Sequence, residues 1–528
     1  MLVGFCFFLF FFGLAHFGLL GADEPRYAQV AREMLAQHDW ITPTLGGKPW
    51  LEKPPLYYWQ AMLCYRLFGV SDWAARLPSA VDATFLVLAI YIFLKRFRPG
   101  SQLDGALMTA SAAGVLGFAR AASTDMPLAM TFTVALLSWY AWAESGSKTC
   151  LATGYVFLAL GVLAKGPVAP LLAAVVILSF AALKRDWQLA KRTLWLPGIL
   201  VFGVVVAPWF LAVQLRNPEF FRVFILQHNL ERFGTNLYHH RQPFWFYLPV
   251  ALLALLPWCI FVVAALAATM RGWWRERGEA FGSEGALEIF LTLWLIVPIA
   301  FFSISQSKLP GYILPALPAA TVLLANYVRR RQETGDVPSV RLITLHALVA
   351  AASIVPALMI QYLVLQHRLP WNRATLISLG VAAVLAIATA LTLRARTGLG
   401  MLRFVTLIPV VLTVAAVLRL GAPTLDAKLS ARSLADEISR VGTQRLPVAV
   451  FRTSRETEFG LAFYRDQVIA RYERDIVPMS EHLVVAPQGS ETELVKQASG
   501  RRVVFLGSYA PQGLDYYWVA GSEMRHVH

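Results

Sequence analysis

Long apolar runs, each ended by a short charged cluster, set the pattern of this chain. The runs fall at about residues 2–20, 74–94, 104–119, 126–143, 150–164, 166–183, 194–214, 244–269, 286–304, 309–328, 340–366, 372–393 and 400–420. A window of about 20 apolar residues matches the hydrocarbon core of a bilayer, so the pattern predicts about 13 membrane-spanning helices. Polar breaks at Ser123-Thr124-Asp125 and Lys165-Gly166-Pro167 fall at membrane depth. Irregular backbone is tolerated there only beside protein or a watery cavity. The first run lacks a basic leader and a small-x-small cleavage site before Asp23, so it reads as a spanning helix rather than a secretory signal.

After Gly421 the pattern changes. Residues 430–441 follow helical periodicity with Ser430 as a candidate N-cap, and a second helix is expected over about 491–498. Apolar β-rich runs occur at 447–451, 482–486, 502–507 and 515–519. The expected architecture is an all-α polytopic membrane domain over 1–424, with interfacial segments at about 22–60 and 215–242. A small soluble α/β domain over 425–528 follows it. That domain carries no cluster with a catalytic pattern, and no transporter-like internal repeat is visible.

Charge tests the topology. With the N-terminus cytoplasmic, the clusters Lys95/Arg96/Arg98, Lys184/Arg185/Lys191/Arg192, Arg271/Arg275/Arg277, Arg329/Arg330/Arg331 and Arg394/Arg396 all fall on the inner side. The other side receives Asp23–Trp59, Arg120–Asp125, Lys165, Arg216–Gln242, Ser303–Gly311 and the C-terminal domain. The chain is 57% hydrophobic with a net charge of +15, and its Lys and Arg residues form no single basic face. Nucleic acid is therefore not an expected partner. The four cysteines show no CxxC and no metal-like spacing, so no disulfide framework is indicated.

The stretch from Gly21 to Trp59 holds the unusual chemistry. Tyr27, Val30, Ala31, Met34 and Leu35 recur at helical spacing with Arg26, Gln29, Arg32 and Glu33 between them, which predicts an amphipathic interfacial helix. Gly46-Gly47 and Pro54-Pro55 bracket a turn that would return Glu52 and Lys53 toward Asp23 and Glu24. Charges gathered at a membrane boundary are functional candidates; the alternative is a headgroup anchor. For Asp125 the alternative is a helix cap, and for Lys165 a snorkelling side chain. Asp-x-Asp, GxxxxGKS and GxGxxG are all missing, so nothing supports a soluble nucleotide donor.

DEPRYA after the first run, LEKPPLYYW, RAASTDMP at Arg120–Pro127, LAKGP at Leu163–Pro167, QHNLERF, SKLPGYILP and LAFYRD stand in this order. Together they resemble the GT-C class of polytopic membrane glycosyltransferases. The likeness is most marked to the aminoarabinose (4-amino-4-deoxy-L-arabinose) lipid A transferases and weaker to protein O-mannosyltransferases. It implies transfer of a sugar from undecaprenyl phosphate, with inversion, to lipid A or another envelope acceptor. Such enzymes work at the periplasmic face of the bacterial inner membrane. On the matching positions, Arg26, Lys53, Lys165 and Tyr312 would bind the donor phosphate, where Arg and Lys give charge-assisted hydrogen bonds and stabilise the leaving group. Asp23, Glu24 and Asp125 would be the catalytic acids. A lipid A phosphate needs no base, and the acids would then hold the sugar's amino group or position cations.

In some relatives the positions of Glu52 and His228 share a divalent metal, zinc or similar. Two ligands do not define a site by spacing, and a hydrogen-bonded structural histidine is the alternative. Within enzymes the alternatives are mannose transfer to protein, galacturonic acid transfer to lipopolysaccharide, or ligation of long glycans. Outside them stands a lipid-linked sugar flippase, which would place its charges near mid-membrane rather than at one face. The enzyme reading requires Asp23, Lys53, Asp125 and Lys165 to converge.

Overall fold

The computed structural model describes residues 2–231, 242–275, 283–395, 398–441, 446–498 and 500–521. Arg277, Arg396 and residues 232–241 of the expected interfacial segment lie outside them. Among the described residues nine helices are long and apolar enough to cross a membrane, or ten when the bent pair Phe244–Ala254 and Cys259–Arg275 counts as one. The expected count of about 13 spans is therefore not confirmed among the described residues. The first apolar run is helical only over Leu2–Phe11, about 15 Å against a hydrocarbon core of about 30 Å. The 104–119 run divides into Gln102–Ser111 and Ala113–Ala119 at an extended Ala112. The 166–183 run forms the shorter apolar helix Val168–Lys184.

Two of these irregularities complete one another. Ala113 N–H donates to Leu256 O at 2.9 Å, joining the break at Ala112 to the bend between Ala254 and Cys259. Trp258 Nε1 donates to Ser111 Oγ at 3.0 Å across the same joint. Each interruption supplies partners that the other's helical ladder has lost, which is how non-helical backbone survives away from water.

The elements around the site are helices α1 (Asp23–Ala36), α2 (Leu56–Phe68), α3 (Asp72–Phe97), α4 (Asp125–Ser145) and α5 (Lys148–Lys165), with a hairpin of β1 (Thr44–Leu45) and β2 (Lys48–Pro49). The segment between Phe11 and α1 is not helical, and one α3 side chain takes up its carbonyls. Arg76, 1% exposed, donates from Nη1 to Leu14 O and Phe17 O, and from Nη2 to Gly18 O, each at 2.8 Å. Its remaining donors meet Glu24 at 2.6 and 3.3 Å.

The C-terminal region is a five-stranded mixed sheet of β3 (Val448–Val450), β4 (Ala470–Arg471), β5 (His482–Pro487), β6 (Val503–Tyr509) and β7 (Leu514–Val519), in the order β4-β3-β5-β7-β6. β3 runs parallel to β4 and β5, whereas β7 pairs antiparallel with β5 and β6. Helix α6 (Arg455–Arg465), between β3 and β4, is absent from the expectation, as is β4. The helix Gly398–Leu429 runs through the expected boundary at 424/425.

The resemblance stretch LAFYRD, on and just after α6, docks this sheet domain onto the membrane part. Tyr464 OH donates to Asp72 at 2.6 Å and accepts from Leu19 N–H at 2.7 Å, while Asp466 pairs with Arg32 at 2.8 Å. Arg432 bridges Asp72 and Asp426 at 2.7 and 3.0 Å. Gly18 permits the approach, since a Cβ there would stand 2.3 Å from Ser430 Oγ and 2.6 Å from Tyr464 OH.

Candidate active site

The two acids that open α1 diverge. Both sit in the first turn, where a helix N-terminus favours negative charge. Glu24 turns inward to Arg76 and also accepts N–H groups from Leu20 at 2.8 Å and Ala122 at 2.9 Å. It ties three chain segments together. Asp23 faces outward, 61% exposed, and pairs with Arg26 at 2.5 Å. The Arg26 guanidinium is mostly buried, lying 5.1 Å from the ring of Tyr27, 5.4 Å from Trp50 and 5.8 Å from Phe459. Burial opposes its charge, but Tyr27, Asp23 and Glu52 outweigh burial and hold its pKa above the ordinary value. Burial first, then Asp23, pushes the Tyr27 phenol well above its usual range, so it stays protonated at neutral pH.

The second half of the site joins the ends of α4 and α5. Asp125 is the first residue of α4, and the cap position belongs to Thr124. Ser123 Oγ donates to Asp125 Oδ2 and accepts from Asp125 N–H, both at 3.0 Å. Lys165, the last residue of α5, forms an ion pair with Asp125 Oδ1 rather than reaching outward. The two polar breaks read from the sequence are thus the two halves of one ion pair. The ammonium also lies 5.0 Å from the centre of the Tyr312 ring, so Tyr312 presents its face to the cation. Lys53 is near enough to contribute to the electrostatic field at Asp125. Gly311 is needed here: a Cβ would stand 2.7 Å from Phe118 Cζ and 3.0 Å from Asp125.

His228 lies on the helical segment Arg222–Glu231, with Nε2 at 3.8 Å from Glu52 Oε1. Among the described residues no group of three or more His, Cys, Asp or Glu is placed to hold a metal ion. A catalytic zinc takes three protein ligands, and this pair supplies two.

Asp23, Arg26, Glu52, Lys53, Asp125, Lys165, Tyr312 and His228 are therefore linked through one set of contacts and fields. Glu24 stands beside them, committed to Arg76. Sequence reading missed Arg76, hidden in an apolar run. It also missed three buried donors without a hydrogen-bond partner, Arg26 Nε, Trp50 Nε1 and Tyr58 OH. Trp50 and Tyr58 flank and occupy the LEKPPLYYW stretch, but only geometry shows their polar atoms unsatisfied.

Known proteins resemble this chain in part. Residues 52–211 match the family model described as dolichyl-phosphate-mannose-protein mannosyltransferase. The undecaprenyl phosphate-alpha-4-amino-4-deoxy-L-arabinose arabinosyl transferase of Pseudomonas aeruginosa (strain UCBPP-PA14) is 33% identical over 337 residues, covering 62% of this chain and 59% of that protein. The protein of that name from Edwardsiella ictaluri is 31% identical over 315 residues, covering 58% and 55%. These matches span less than two thirds of the relatives' length. Among solved structures, ArnT from Cupriavidus metallidurans bound to undecaprenyl phosphate superposes with a TM-score of 0.78 at 22% identity, over 99% of this chain and 98% of that one. The chain shares the fold of that structure and is a polytopic membrane protein. The family-matched stretch carries Glu52, Lys53, Asp125 and Lys165, while Asp23 and Arg26 precede it.

Proposed function

We propose that this protein is a glycosyltransferase of the GT-C class. It moves 4-amino-4-deoxy-L-arabinose or a related sugar from undecaprenyl phosphate to lipid A or another envelope acceptor, at the periplasmic face of a bacterial inner membrane. The observation that carries the reading is the Asp125–Lys165 pair against Tyr312, in the field of Lys53, at the ends of two helices. The names of the curated relatives support the sugar and the lipid carrier. Lys53, Lys165 and Arg26 receive the donor phosphate, which stays at the interface while its isoprenoid tail remains in lipid. Attack of an acceptor oxygen forms the new bond to the anomeric carbon as the bond to the phosphate oxygen breaks. The electron pair stays on the phosphate, where the same cations offset the growing charge.

Asp23, exposed at the mouth, takes the proton from a hydroxyl acceptor. With an anionic phosphate acceptor it holds the sugar's ammonium instead. Asp125 keeps Lys165 aimed, and Glu24 holds the fold beside the site through Arg76. Clustering of charge at one end of the bundle favours an enzyme over a flippase. The description of the matching family model makes a protein acceptor the second reading.

The test is transfer by the full-length protein in proteoliposomes containing the undecaprenyl-phosphate aminosugar and lipid A, read by mass spectrometry. A pentosamine-sized increase on lipid A is expected, and a general-base role predicts that Asp23→Asn slows transfer to a hydroxyl by about 10²–10⁴-fold with normal membrane levels. Unmodified lipid A would sink that acceptor. Full activity in Asp23→Asn would remove its catalytic role.

A further inference from the structure

Away from Asp125 and Lys165, a groove of about 820 Å³ opens between α4, α5 and the helix Val168–Lys184. Trp139 in its wall lies about 20 Å along α4 from Asp125. Small side chains hollow it out, with Ala135, Gly154, Ala173 and Ala174 where larger residues would fill the space. The short helix Trp187–Thr193 and Leu194 complete the lining. Thr193 is fastened to the walls: Trp139 Nε1 donates to its Oγ1 at 2.9 Å, and Tyr155 OH donates to its carbonyl. Those bonds use up the polar atoms of Trp139 and Tyr155, so the groove offers hydrocarbon surface inside.

Its mouth is cationic. The segment from Lys184 to Arg192 carries Lys184, Arg185, Lys191 and Arg192 against one acid, Asp186, which accepts from Leu189 N–H at 3.0 Å. All four cations are exposed and none forms an ion pair among the described residues. Lys191 lines the groove itself. Glu144, the acid in the last turn of α4, is already held by Arg98 at 3.0 Å. Trp187 beside them is 55% exposed, and tryptophan is the residue type that settles at a headgroup boundary. An apolar slot below uncommitted cations matches an amphiphile with an anionic head, its chain lying between the helices.

We infer that this groove holds an anionic glycerophospholipid from the leaflet opposite the Asp125–Lys165 pair. One acyl chain fills the slot and the phosphate meets Lys191 and Arg192. A polyprenyl tail would fill the slot as well, but its single phosphate belongs with Lys53 and Lys165, which leaves the cations here unanswered. The inference does not depend on the transferase reading. Because α4 and α5 carry Asp125 and Lys165 at their other ends, the bound lipid braces the two helices that set the ion pair.

The test uses the full-length protein, stripped of lipid in detergent and titrated with dioleoyl phosphatidylglycerol or dioleoyl phosphatidylcholine. Binding is read by native mass spectrometry and by thermal unfolding. Lys191→Gln/Arg192→Gln removes the headgroup partners at exposed positions, and Ala174→Trp fills the slot from an exposed position on its wall. Phosphatidylglycerol should bind about tenfold more tightly than phosphatidylcholine, and the double variant should lose about 10–30-fold of that affinity with phosphatidylcholine unchanged. Ala174→Trp should weaken both lipids, and phosphatidylglycerol should raise the Tm of the wild type but of neither variant. Equal binding of the two lipids, or unchanged phosphatidylglycerol affinity in either variant, overturns the inference. Displacement of phosphatidylglycerol by equimolar undecaprenyl phosphate assigns the slot to a polyprenyl tail and overturns it too.

Discussion

Replacing Arg76 by methionine removes the group that organises the entry to the site. The guanidinium is 1% exposed and its Glu24 partner 11%, so neither charge is shielded by bulk water. Breaking a buried pair by removing one member costs about 3–5 kcal/mol, because the other charge is stranded. Arg76→Met also deprives the carbonyls of Leu14, Phe17 and Gly18 of their donor, which places it at the upper end, about 5 kcal/mol. Glu24→Gln keeps the shape and one acceptor, so about 3 kcal/mol is expected. The assay is SDS-driven unfolding of the full-length protein in mixed micelles, run as a double-mutant cycle. The two changes should couple by about 2 kcal/mol or more. Activity per folded molecule of Glu24→Gln should stay near wild type, because Glu24 acts through the fold. A cost below about 1 kcal/mol for Arg76→Met, typical of surface pairs, would refute the reasoning. So would strict additivity.

Three further outcomes follow from the site and the sheet. Lys53→Ala should raise the KM for the polyprenyl-phosphate donor by about 10–100-fold, the worth of a hydrogen bond to a charged group; unchanged donor dependence would exclude it from the phosphate site. Gly311→Ala should lower turnover by up to about 100-fold with thermal stability nearly intact, because the added methyl group displaces Asp125 and Phe118; a wild-type rate would show that the cluster tolerates the shift. In β5, burial lowers the pKa of His482 below its ordinary value of about 6.5. The unfolded state therefore binds the proton first, so the sheet's stability is full above about pH 6.5 and falls as pH drops toward the folded pKa, by at most about 1.4 kcal/mol per pH unit. Amide exchange in β5 should accelerate over that window in wild type and much less in His482→Gln; identical slopes would exclude this histidine as the cause.

Much of the site was legible because its charges interrupt apolar runs. Asp125 and Lys165 stood out as breaks in the hydropathy pattern, and the structure pairs them. The amphipathic spacing of Tyr27, Val30 and Met34 likewise anticipated α1 and its buried face. Arg76 was not legible, since a single arginine among alanines and leucines carries no periodic signal and its partners are backbone carbonyls. The exchange of Asp23 and Glu24 between outward and inward roles was equally hidden, because adjacent residues of one type differ only in which way the helix turns them. The count of about 13 spans is not confirmed for a related reason. Hydropathy reports how apolar a run is, not whether its backbone stays helical, and the breaks at Phe11 and Ala112 lie inside runs that are apolar on average.

The joint between Ala113 and Leu256 constrains how this chain can change. Two kinked segments far apart in sequence share one amide–carbonyl link, so a one-residue insertion or deletion at either kink would slide its half out of register. A lone N–H and a lone C=O would then be left facing lipid tails, with no solvent to rescue them. Length changes should therefore be excluded from both kinks together, while the loops beyond the bilayer lengthen freely. The bundle has in effect a seam whose two edges must be cut to the same measure.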